Sequence, residues 1–112
     1  MDIELFEFEK LRKHKIDLER NKDKYFKNLE KIAKKYNLEI YLVGSRIKNE
    51  YLEGSDYDIV VFIPDNRWKD WLKILRELKK SVNENIYFEF HIYKKSWKEI
   101  LDIYYEKYKK LF

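Results

Sequence analysis

The chain contains two glycines and one proline, Gly44, Gly54 and Pro64, and all three fall within a single 21-residue window. A chain of this length ordinarily carries roughly eight glycines. Glycine is what left-handed or closely approached backbone requires, so special backbone is expected in this window and regular helix or strand elsewhere. The 112 residues suffice for one domain, 1–112. Hydrophobic residues at 45% and aromatics at 18% supply a core and argue against global disorder. The absence of cysteine removes disulfides, thiolate nucleophiles and cysteine-based zinc sites. The longest aliphatic-aromatic run, Ile59 to Ile63, falls far short of the ~20 residues of a membrane span. With no secretory leader visible, a cytoplasmic location and no membrane partner are expected. The 25 basic and 21 acidic residues give +4, mixed in sign along the chain, which reads as a solvated, salt-bridge-laced surface rather than a nucleic-acid footprint.

Residues 1–36 form a polar region with apolar positions at helical spacing. Leu11, Leu18, Tyr25 and Ile32 are seven apart, and Tyr25, Leu29, Ile32 and Tyr36 continue the stripe, so one or two helices are predicted. Asn37 suits the left-handed residue that ends a helix. Leu38 to Val43 reads as a strand stopped by Gly44, and Ser45 can cap a short helix through Arg46, Ile47 and Lys48. Asn49 to Ser55 reads as a loop. Tyr57 to Ile63 is β-branched and aromatic on both faces, as a central strand is. Pro64 and Asp65 then start a helix with Trp68, Trp71, Leu72, Leu75, Leu78 and Val82 on one stripe. A turn at Asn83 to Asn85 precedes a third strand, Ile86 to Tyr93. Residues 96–112 read as a last helix capped by Ser96, with Trp97, Ile100, Leu101, Tyr104, Tyr105, Tyr108 and Leu111 on its apolar side. The expected fold class is α/β (α+β), a small mixed sheet of about three strands flanked by helices, with residues 38–93 as the core.

The chemistry concentrates in the glycine window. Asp56 and Asp58 stand two apart at the start of a strand, so both carboxylates fall on one face. Like charges that close repel unless a cation lies between them, and a divalent metal with oxygen ligands, magnesium above all, fits. Upstream, Gly44 followed by a helix start at Ser45 offers close backbone approach and free N–H groups to a phosphate. Carboxylates beside a phosphate cradle describe a metal-nucleotide site. Glu89, in the third strand on the face shared with Tyr87, His91 and Tyr93, can reach the same metals if that strand lies beside the second.

Gly44-Ser45, ten residues, then Asp56-Tyr57-Asp58 resembles the nucleotidyltransferase signature of the DNA polymerase beta superfamily, and the small size resembles its minimal bacterial and archaeal members. The resemblance runs from about Leu38 to Tyr93. It implies a nucleotidyltransferase-like fold and transfer of a nucleoside monophosphate with release of pyrophosphate. Gly44 and Ser45 would hold the triphosphate, with Arg46 beside them. Asp56, Asp58 and Glu89 would bind two Mg2+ ions, and Glu89 would help deprotonate the attacking hydroxyl. The family's third acid is commonly aspartate, a departure at Glu89. It also implies ATP as the nucleotide and a helical HEPN-type protein partner, paired as in toxin–antitoxin systems, that the enzyme can modify with AMP.

Several residues also have plain structural readings. Gly54 and Ser55 shape a turn, Arg46 and Lys48 are exposed helix charges as readily as phosphate contacts, and His91 and His14 read as packed or surface histidines. The tryptophans at 68 and 71 and the tyrosines of the last helix read as core. Twenty aromatics nonetheless leave room for a partner surface, either a second copy of the chain or another protein. No second domain is visible to grip a template, so a small or docking protein acceptor is expected over tRNA tailing. Two other functions compete: an inactive nucleotide- or partner-binding module, and a transferase directed at nucleic acid with steeply salt-dependent binding.

Overall fold

The computed structural model describes residues 3–44 and 57–112, with side chains from residue 7. The expected cap at Ser45, the helix through Arg46 and Lys48, the turn at Gly54 and Ser55, and Asp56 lie outside the described residues.

The first element is one helix, α1 (Ile3–Tyr36), rather than two. Leu18, Tyr25, Leu29, Ala33 and Tyr36 are buried along one stripe, whereas the residues from Glu7 to Lys13 are exposed. Asn37 ends the helix at φ 56°, in the left-handed conformation expected of it, and the Leu38 amide donates to the Ala33 carbonyl. The chain then enters β1 (Glu39–Val43). After the glycine window comes β2 (Tyr57–Ile63), with the bounds expected from its β-branched and aromatic run.

Pro64 leads into a 3-10 turn over Asp65–Asp70, and only then does α2 (Trp71–Ser81) begin. The buried line of this helix is Ile74 and Leu78, continued by Val82, while Trp71 and Leu72 of the expected stripe are exposed. The six-residue 3-10 turn is the cause, because its tighter winding breaks the phase between Trp68 and the α-helix that follows. Asn83 and Glu84 turn the chain at positive φ into β3 (Phe88–Lys94), one or two residues later than expected at each end.

Among the described residues the sheet is four-stranded and mixed, in the order β3-β2-β1-β4. β1 runs antiparallel to β2, and β2 runs parallel to β3, as the helical crossover through α2 allows. The fourth strand corrects the sequence reading. The expected helix over 96–112 is a short 3-10 turn, Lys95–Trp97, then a five-residue helix, α3 (Ile100–Tyr104), and then β4 (Tyr108–Lys110), antiparallel to β1. The open edge of β1 takes the chain's end: Leu111 N–H donates to the Ile40 carbonyl at 2.8 Å, and Ile40 N–H donates to the Phe112 carbonyl at 2.9 Å. Backbone pairing satisfies donors and acceptors that a solvent-facing helix end would leave to water, and tyrosine is well suited to a strand.

Apolar residues cover both faces of the sheet. Ile40, Leu42, Tyr57, Ile59, Val61, Ile63 and Phe88 pack beneath α1 and α2. Tyr41, Val43, Val60 and Phe62 pack on the other face with Leu101 of α3, joined by Tyr93, Ile100 and Tyr105. Tyr87 belongs to the α1 side, a correction to its expected place beside Glu89, because β3 begins after it and its alternation does not extend back to residue 87. Asn85 ties α1 to this turn. Its amide donates to the His14 carbonyl at 2.8 Å and to Asp17 Oδ2 at 2.9 Å, and its Oδ1 accepts from Tyr87 N–H at 2.9 Å.

Burial would raise the Asp17 carboxyl, but hydrogen bonds from Asn85, Tyr25 and Asn21 outweigh it and hold the group below its usual range. Burial and the hydrogen bond to Asp17 push the Tyr25 phenol up to about 12. A depressed carboxylate stabilises the fold above its unfolded pKa of about 3.9 and loses that contribution as pH falls through its lower folded value. Replacing Asn85 by Ala is expected to cost about 1–3 kcal/mol, by leaving buried partners without hydrogen bonds. The loss should show as a lower urea midpoint at pH 7, and the gap to the parent protein should narrow in acid as Asp17 protonates.

Candidate active site

The site grows from strand register. β2 and β3 run parallel with Asp58 opposite Glu89 and Val60 opposite His91. Alternation turns Ile59 and Phe90 toward α1 and α2, and places Asp58, Glu89 and His91 together on the α3 face. One oxygen of each carboxylate and a ring nitrogen of His91 all lie within 4.8 Å of one another. His91 Nε2 is 3.6 Å from Asp58 Oδ1 and 3.8 Å from Glu89 Oε1. The side chains are 36% exposed at Asp58, 56% at Glu89 and 30% at His91, so the group faces outward and is open to a ligand.

Like charges on directly opposed strand positions are unfavourable without compensation. Two carboxylates and an imidazole converging on one point form a donor set that fits a divalent cation. Asp58 and Glu89, expected from sequence to share a metal, are therefore brought together. Asp56, Ser45 and Arg46 lie outside the described residues.

Gly44 borders the group from β1, one residue beyond Val43, which pairs with Asp58. Its φ of +88° disfavours any L side chain, and a Cβ there would stand 3.2 Å from Asp58 Oδ2. The glycine thus leaves the space in which the Asp58 carboxylate sits. Gly44→Ala is expected to cost about 1–2 kcal/mol in backbone strain alone and to displace Asp58. A lower melting temperature, with weaker divalent-cation binding, would show it.

Three flanking residues stand outside the ligand set expected from the sequence. Alternation along the third strand already places His91 and Tyr93 on Glu89's face, where His91 reads as a packed or surface histidine, and register with β2 adds Asp58 beside it. Tyr93 and Tyr105 close the α3 side, their hydroxyls 3.2 Å apart. Burial, the Tyr93 hydroxyl and the negative charges of Asp58 and Glu89 push the Tyr105 phenol upward, so it stays protonated. The aromatic residue after α3 was visible, but its expected helical phase pointed it into a core stripe. In the structure Tyr105 has already turned to extended backbone.

A mixed sheet of this order, with carboxylates on a paired parallel row at the mouth of a glycine turn, defines an α/β domain of the nucleotidyltransferase type. Comparison with known proteins agrees. The Nucleotidyltransferase domain family matches residues 22–111, and the chain belongs to that family. Its class of activity is nucleotidyl transfer, which implies a nucleotide substrate and chemistry that typically uses a divalent metal. Two solved structures, each described as a "putative nucleotidyltransferase", are similar to it. One is 29% identical, with a TM-score of 0.58, covering 77% of this chain and 96% of its own. The other, from Sulfolobus solfataricus, is 16% identical, with a TM-score of 0.57, covering 87% and 84%, and it supports the fold alone. No curated protein matches the sequence. Among the described residues, no helix is long and apolar enough to cross a membrane.

Proposed function

We propose that this chain transfers AMP from ATP to a hydroxyl on a docking protein, in the manner of an antitoxin acting on a helical HEPN-type partner in the cytoplasm. The observation that carries the reading is the Asp58–Glu89 row beside Gly44, in a chain of the nucleotidyltransferase family. Asp56, Asp58 and Glu89 would hold two divalent cations, for which magnesium suits an all-oxygen set. Bound metal would offset charge on the transferring phosphoryl group. Gly44, Ser45 and Arg46 would hold the triphosphate. The acceptor oxygen bonds to the α-phosphorus as the bond from that phosphorus to the β-bridging oxygen breaks. Pyrophosphate leaves, and the hydroxyl proton passes to Glu89.

A protein acceptor is supported by the surface next to the site. Ile103 and Tyr104 are 70% and 72% exposed on α3, immediately before Tyr105, and an exposed tyrosine of this kind favours protein contacts. Glu89 opposite Asp58 favours an active transferase over an inactive binding module, since a third acid out of reach is what would silence the site.

The test is incubation with magnesium and ATP labelled at the α- or the γ-phosphate, with and without the protein encoded beside this one. Transfer of α-label but not γ-label to that protein is expected. Transfer that survives Asp56→Ala combined with Asp58→Ala would overturn the mechanism, and label appearing only on added RNA would overturn the acceptor.

A further inference from the structure

We infer that His91 supplies a nitrogen ligand to the cation between Asp58 and Glu89, and so converts that position from a magnesium site into one that selects a first-row transition ion, manganese(II) in particular. The inference rests on the reading that these carboxylates hold a divalent cation, and it concerns which one.

His91 Nε2 stands 3.6 Å from Asp58 Oδ1 and 3.8 Å from Glu89 Oε1. Both distances are too long for hydrogen bonds, which for a ring N–H to oxygen end near about 3.2 Å. They are ion-pair distances, and with one oxygen of each carboxylate and the ring nitrogen all within 4.8 Å of one another, the three groups are close enough for one cation to bridge them. The ring is held there by backbone register, since His91 follows Glu89 by two on the same face and pairs with Val60, the residue two beyond Asp58. Tyr105 flanks it, with ring centroids 6.4 Å apart.

Magnesium takes oxygen ligands almost exclusively and keeps much of its water. Imidazole nitrogen suits the first-row transition ions, and carboxylate suits manganese. Two carboxylates and one imidazole therefore discriminate against magnesium at this position.

The chain has only two histidines. His14 lies on α1, where its Nδ1 accepts the Ile86 N–H at 3.1 Å. A histidine nitrogen bound to manganese is thus assignable to His91 by one substitution. The experiment uses the full chain, without nucleotide, titrated with manganese(II) or magnesium(II) chloride and followed by calorimetry and by pulsed electron spin resonance of bound manganese. Manganese is expected to bind about tenfold or more tightly than magnesium, with histidine nitrogen modulation in the spin echo.

His91→Ala should weaken manganese binding about tenfold, remove the modulation and leave magnesium binding within about twofold. His91→Gln, which keeps bulk and offers an amide oxygen, should also lose the modulation while retaining the parent's circular dichroism and melting temperature. Manganese that binds with no nitrogen modulation, or with modulation that survives both substitutions, overturns the assignment to His91 and leaves the carboxylate site standing. Manganese and magnesium binding that Asp58→Asn leaves unchanged overturns the underlying metal reading.

Discussion

Asp58→Asn is expected to reduce nucleotidyl transfer by about a thousandfold or more, because a metal clamp on the transferring phosphoryl group is worth several kcal/mol. The folded state should survive the change. Asp58 sits at the rim of the sheet, 36% exposed, and faces Glu89 across a parallel pair, so removing its charge in the metal-free protein relieves repulsion. A melting temperature equal to or above that of the parent, with transfer abolished, is the combined outcome expected. Parent-like transfer by the variant would remove Asp58 from the chemistry. Loss of transfer together with a collapsed melting curve would mean that the carboxylate mainly supports the fold. Glu89→Gln is the companion, and its effect should be similar if Glu89 takes the proton from the acceptor.

The second large effect concerns the end of the chain. Deleting 108–112 is expected to destabilise the domain by about 3–5 kcal/mol, from the lost burial of Leu111 and Phe112 and the lost edge hydrogen bonds. These residues pair with β1 and pack against the core beneath α1, and Ile40, fully buried, exchanges backbone bonds with both Leu111 and Phe112. Without them, β1 becomes an open edge beside buried Tyr41 and Leu42, a template for pairing between molecules. The urea midpoint should fall sharply and light scattering should rise on warming. A variant with parent stability would show that the tail is an accessory rather than a strand of the sheet.

Much of the fold was legible because its signals are local. Asn37 closes α1 in the left-handed conformation for which its short polar side chain is suited, and Tyr57 to Ile63 is too β-branched and too apolar on both faces to be anything but an interior strand. Where the reading failed, the deciding partner was distant in sequence. Tyr105, Tyr108 and Leu111 fit a helical stripe as well as they fit a strand, and only the unfilled hydrogen-bonding edge of β1 settles the choice. Trp71 and Leu72 fit an amphipathic helix beginning at Pro64, but the 3-10 turn over Asp65–Asp70 shifts the phase and leaves them exposed.

The candidate site divides in the same way. From the sequence by itself came the residue types and the local geometry: a glycine ahead of paired acids, a strand that places alternate side chains on one face, and a family signature at the right spacing. Those follow from nearest-neighbour sterics and a period of two, which act within a few residues. The tertiary structure alone decided that β3 lies parallel to β2 in the register that sets Glu89 opposite Asp58, and that His91 joins them. It also decided that Gly44 is needed for the room taken by an aspartate carboxylate fourteen residues later. Register between strands is set by how whole faces pack against α1, α2 and α3, and a one-residue slip would turn Glu89 to the opposite side. No local pattern in the chain carries that information, because it belongs to the packing of the faces together.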